Sequence, residues 1–127
     1  MKYLMMLLIV LGLAASDFLT GLMKAYVQGD LSSKVMRRGG INKLGELTVM
    51  LTACGLEIGI RVLGQYYHSA TLAAVAGTAA AGLVFLYIVS MELVSLLENY
   101  SEINPDAVWV KKLVEKLRRF EGGDTHE

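Results

Sequence analysis

The sequence predicts an all-α membrane protein with about three transmembrane helices and a C-terminal amphipathic helix, assembled as an oligomer. Three observations point there. The chain is 54% hydrophobic over 127 residues, with a mean hydropathy of +0.49, which is too apolar for a soluble domain of this size. The apolar residues come in three long blocks, and most of the charge lies in the connector between the first two and in the tail. The polar and small residues inside the blocks recur at helical spacing. Lys plus Arg and Asp plus Glu number 12 each, so no global positive charge argues for nucleic acid. Cys54 is the only cysteine, which rules out an intrachain disulfide and reads as a small packed residue.

The first span is predicted over residues 3–27, ~37 Å of helix. Lys2, the apolar run to Leu13 and Ala14-Ala15-Ser16 also resemble a secretory signal with a small-residue cleavage site. The apolar character resumes at Phe18 and continues to Val27, which favours a retained helix. Within it Asp17, Thr20, Gly21 and Lys24 follow an i, i+3, i+4, i+7 pattern and share one face. A charge facing lipid near mid-bilayer costs roughly 3 kcal/mol or more, so this face should meet protein or water. Asp17, Thr20 and Lys24 are therefore the candidate polar, pore-lining stripe.

Residues 28–42 read as a connector, with Gly29, Gly39 and Gly40 as breakers and Lys34, Arg37 and Arg38 on a short helix between them. Asn42 is the candidate N-cap of the next helix. The second span is predicted over residues 43–63. Glu57 and Arg61 are four apart with the acid first, the favourable order for an intramembrane ion pair. Gly55 and Gly59 have the spacing that lets another helix approach closely. Residues 64–69 form a short turn in which Tyr66 and Tyr67 suit a membrane interface and His68 is a solvent-exposed loop residue.

The third span is predicted over residues 70–97. Ala73, Gly77 and Ala81 form a small-residue ridge suited to helix packing, and Glu92 is the single acid before Glu98 closes the segment. The transmembrane domain is thus residues 1–99, and residues 100–127 form a cytoplasmic tail. Asn104-Pro105-Asp106 reads as a helix start. Val110, Leu113, Val114, Leu117 and Phe120 then mark one face; Lys111, Lys112, Lys116, Arg118 and Arg119 supply most of the other, with Trp109 near the start. Such a helix suits either a membrane surface or packing on a neighbouring subunit. Gly122-Gly123 should end it, with residues 124–127 disordered.

Orientation follows the bases. The connector holds Lys34, Arg37 and Arg38, with Lys43 next to it; the tail holds five more, and the second turn has none. Connector and tail are expected on the cytoplasmic side and the N-terminus outside. No paired carboxylates with a histidine, no metal-ligand cluster and no phosphate-binding loop are visible, so catalytic, cofactor-binding and metal-binding residues are expected to be none.

Several short pieces, in order, resemble the toxin-secretion/phage-lysis holins. They are Asp17-Phe18-Leu19-Thr20-Gly21 with Lys24-Ala25, Gly29-Asp30-Leu31-Ser32-Ser33, Gly40-Ile41-Asn42-Lys43, and then Glu92, Ser95-Leu96-Leu97-Glu98-Asn99 and Pro105. The Glu57/Arg61 pair stands outside this resemblance. The resemblance implies a non-enzymatic phage or prophage holin of the bacterial cytoplasmic (inner) membrane. Its partners would be itself and the bilayer, and functionally an endolysin or a secreted toxin, which its lesions would release. Two other classes fit the physical reading: a small oligomeric ion channel or pinhole-forming protein, and a small multidrug-type transporter. The transporter class usually has four spans and a compact tail.

Overall fold

The computed structural model describes residues 1–122, in four helices: α1 (Lys2–Gln28), α2 (Ser33–Tyr66), α3 (Ala70–Ile103) and α4 (Val108–Glu121). The first three are each long and apolar enough to cross a membrane. They run up, down and up: Lys2 at the start of α1 meets Glu57 in the second half of α2, while Lys24 near the end of α1 meets Glu102 near the end of α3. α3 is the central element. It touches α1, α2 and α4, and among the described residues α4 touches α3 alone.

The first connection is short because both helix ends that flank it are capped in place. Gly29 takes a left-handed conformation (φ 76°), and the Asp30 N–H donates back to the Ala25 carbonyl at 2.9 Å, closing α1 in a Schellman motif. Ser32 then caps α2, its hydroxyl accepting from the Val35 N–H at 3.3 Å. This corrects two expectations. The predicted connector is mostly helix, and Asn42 lies inside α2, where it caps nothing. The Ser32 cap starts the helix early, and Gly39 lies within it at a close approach, where a Cβ would stand 3.2 Å from the Phe18 ring of α1.

A second close approach is made at the other end. Gly64, expected in a turn, is a buried residue of α2, and a side chain on it would collide with the Ala73 methyl of α3. The turn proper is residues 67–69, with His68 at φ 57° and exposed. Gly77 lies on α2 at Glu57, where a Cβ would stand 3.0–3.2 Å from that residue's Cγ, Cα and carbonyl oxygen. Small residues thus draw α2 and α3 together.

The bundle interior is narrow. Val10, Met50, Cys54 and Ile88 form its apolar centre, flanked by Tyr3, Met6, Leu7, Leu47, Val84 and Phe85. The outside is apolar instead: Leu8, Leu11, Leu19, Leu44, Leu51, Leu56, Leu72 and Leu83 are all exposed. Thr48 and Thr52 on this outer surface return their hydroxyl protons to the carbonyls four residues back, at 2.8 Å each. A surface of this kind is suited to lipid and not to water.

The tail helix departs from its predicted start. Asn104 ends α3, its N–H donating to the Tyr100 carbonyl, and α4 begins at Val108 after an Ala107 cap with no side-chain hydrogen bond. Ala107 is buried with Val94, Val110 and Val114 against Leu97 and Leu117, so packing sets where the helix begins. Val110, Val114 and Leu117 of the expected apolar face of α4 are therefore covered by its own α3, while Leu113 and Phe120 stay exposed. Gly122 ends the helix, and the expectation for residues 124–127 lies outside the described residues.

Candidate functional site

Two ionic layers cross the bundle, one toward each end. In the first, Glu57 is almost completely buried and its Oε1 accepts from three donors: Lys2 Nζ at 2.8 Å, Tyr3 OH at 2.9 Å and Arg61 Nη2 at 2.9 Å. Thr78 adds a longer contact at 3.4 Å, so α1, α2 and α3 all converge on one carboxylate. The helical spacing of Glu57 and Arg61 creates their contact; the donors from α1 arrive because α1 runs antiparallel to α2.

The second layer centres on Lys43. Its ammonium stands 2.6 Å from Asp17 Oδ2, 2.5 Å from Glu92 Oε1 and 3.4 Å from Glu46. Asp17 also accepts from Asn99 Nδ2 at 2.9 Å, and Asn99 reaches Thr20 Oγ1 at 3.3 Å. Glu92 is fully buried, and its second oxygen has no partner among the described residues. Glu57 and Lys43 are fourteen residues apart on α2, ~21 Å along the axis. Met50 and Cys54 lie between, packed on Val10 and Ile88. The two layers differ in charge: the first sets two cations against one carboxylate, the second one cation against three.

Beyond the second layer, Lys24 pairs with Glu102 at 3.0 Å, and Arg118 of α4 pairs with Glu98 of α3. Breaking a buried pair by removing one member costs about 3–5 kcal/mol, whereas an exposed pair is worth about 1 kcal/mol or less. The buried pairs specify which helix faces meet.

The polar stripe of α1 is accordingly occupied within the single chain. Asp17 is buried against Lys43, Thr20 meets Asn99, and Lys24 meets Glu102. Ala73, Gly77 and Ala81 pack inward, Ala73 at Gly64, Gly77 at Glu57 and Ala81 fully buried. Gly55 and Gly59 do not take part: nothing lies within 4 Å of a Cβ at either position, so both face away from the bundle. On α4, Trp109, Lys111, Lys112, Lys116 and Arg119 are exposed, while Arg118 turns to Glu98.

Sequence reasoning missed Lys2, Tyr3, Lys43, Glu46, Glu92 and Asn99 as site residues. Lys43, Glu92 and Asn99 were already among the pieces that resemble holins, which was the available signal. Lys2 and Tyr3 carried none, because nothing local marks a terminal lysine as the partner of an acid more than fifty residues away.

Fold and site together define a small helical membrane protein, with an apolar exterior and charged groups locked inside a three-helix bundle. The model of the bacteriophage holin family matches residues 1–121, and the chain belongs to that family. The family is one of non-enzymatic, pore-forming membrane proteins. No curated protein and no solved structure matches the chain.

Proposed function

We propose that the chain is a holin that accumulates in the bacterial cytoplasmic membrane, assembles with copies of itself and opens lesions through which an endolysin or a toxin leaves. One observation carries this reading. The charged groups needed to line a watery opening are present, but each is held by a partner inside the same chain: Asp17 by Lys43, Glu57 by Lys2 and Arg61. A bundle of this kind is stable in lipid when closed and supplies a polar surface if its helices turn. That is a shift between two packings and needs no substrate.

On this reading Gly55 and Gly59, open on the outer face of α2, are where another copy approaches. Residues 1–99 make the lesion and residues 100–127 regulate it. The connector end of the bundle, which carries Lys34, Arg37, Arg38 and the basic α4, faces the cytoplasm, and the N-terminus lies outside. Trp109, Leu113 and Phe120 form an exposed apolar flank of α4 beside Lys112, Lys116 and Arg119, which suits contact with an anionic leaflet.

The test is expression in a bacterial host with and without an endolysin. Membrane accumulation followed by abrupt endolysin-dependent lysis, with release of a folded cytoplasmic enzyme, is expected. Release of a small dye without the enzyme would mean a narrow channel. Accumulation without any permeability would refute the reading.

A further inference from the structure

A cavity of about 280 Å3 opens beside Lys43 between α1, α2 and α3, and its lining includes Asp17, Gly21, Gly39, Lys43, Glu46 and Ser95. The ammonium has three protons, and two carboxylates, those of Asp17 and Glu92, take close contacts with it. Glu46 stays at 3.4 Å and keeps partial exposure through the cavity. Glu92 has no exposure at all, yet Oε2 lacks any donor. Three ionised carboxyls around one lysine would leave two uncompensated negative charges in a protein interior. Carboxylates this close do not all ionise, because each added charge is repelled by the others and is poorly solvated.

We propose that the carboxyl cluster around Lys43, beside this cavity, is a proton-binding site, in which Glu46, which lines the cavity, and the fully buried Glu92 behind it share one proton that joins α2 to α3. The proton supplies the missing donor: a carboxyl O–H on one residue donates to an oxygen of the other. Asp17 is excluded as its holder, since Lys43 and Asn99 both donate to it. Among the described residues, the charged groups placed against the pair are Asp17 from α1 and Lys43 within α2; Asn99 and Ser95 of α3 are neutral neighbours. Lys24 lies two turns beyond Asp17 and is engaged by Glu102. On release, the O–H bond breaks, the proton passes to water in the cavity, and two adjacent carboxylates remain. Their repulsion acts across the α2–α3 contact at the connector end.

The site is assigned from bundle geometry and can be tested without lysis, so its failure and the failure of the proposed function are separable. Full-length protein in lipid nanodiscs is titrated while the infrared carbonyl band of protonated carboxyl groups is followed. A band present at neutral pH and lost on alkaline titration is expected. Glu92→Gln and Glu46→Gln should each abolish it at neutral pH, with helix content by circular dichroism retained, and the exposed control Glu115→Gln should leave it unchanged. No band in the unmodified protein at neutral pH, or a full band in both variants, would overturn the proposal.

Discussion

Glu57 is the residue on which most depends at one end of the bundle. Its Oε1 collects Lys2, Tyr3 and Arg61, and its burial means no water replaces them. The contributions are unequal by construction. Glu57→Gln removes the charge that both cations face; because Lys2 and Arg61 are themselves roughly half-exposed and can turn to water, the loss should be about 1–3 kcal/mol. Arg61→Gln leaves Lys2 and Tyr3 in place, and because the Arg61 side chain is 42% exposed the loss should be about 1 kcal/mol or less. The double change should recover only part of the Glu57→Gln loss, since Lys2 would still face an amide. Thermal unfolding in detergent, run as a double-mutant cycle, reads all three; equal single losses would contradict this account. The Glu57/Arg61 contact was legible in the sequence because it is local. The Lys2 contact was not, because it exists only once α1 and α2 lie side by side.

Among the elements, α2 and α3 meet where side chains are smallest, and the sequence showed only half of that meeting. The ridge of Ala73, Gly77 and Ala81 was legible from its spacing and does pack inward. The surface of α2 that receives it carries Gly64 and Glu57, while Gly55 and Gly59, whose spacing suits the approach of another helix, meet no neighbour within the single chain. A small-residue motif reports that a helix can be approached closely; it does not say from which side or by which chain. Gly77→Ala places a Cβ 3.0–3.2 Å from Glu57 and should lower bundle stability by about 1–3 kcal/mol. Gly55→Leu meets open space and should leave the stability of the single chain unchanged while shortening crosslinking ladders in membranes. Unfolding midpoints in detergent, compared with those ladders, separate packing within a copy from packing between copies. The starts of α2 and α4 were misjudged for a related reason. A nearer serine cap and a buried alanine decided them, against the more conspicuous Asn42 and Asn104-Pro105-Asp106.

For the whole molecule, α4 is an appendage of α3. It rests on Val94 and Leu97 and touches neither α1 nor α2 among the described residues. Truncation after Asn99 should therefore still insert, and both ionic layers should persist, because Lys2, Glu57, Asp17, Lys43 and Glu92 all precede the cut. Lysis is expected earlier or less synchronous, read from culture density beside membrane fractionation. A truncated protein that stays in the membrane and never lyses would show the tail to be part of the lesion.

The links between helices limit how the molecule can change. α1 and α2 are joined by the four residues 29–32, and α2 and α3 by the three residues 67–69. Four residues reach at most ~14 Å when fully stretched, and packed helix axes already lie ~8–10 Å apart. Such tethers have almost no slack. No helix can be withdrawn from its neighbour by more than about one helix width, and α1 cannot cross a wide opening to reach a distant wall. What the tethers leave free is rolling about the long axis. That motion turns the stripe of Asp17, Thr20 and Lys24 through a large angle while the chain hardly moves along the membrane.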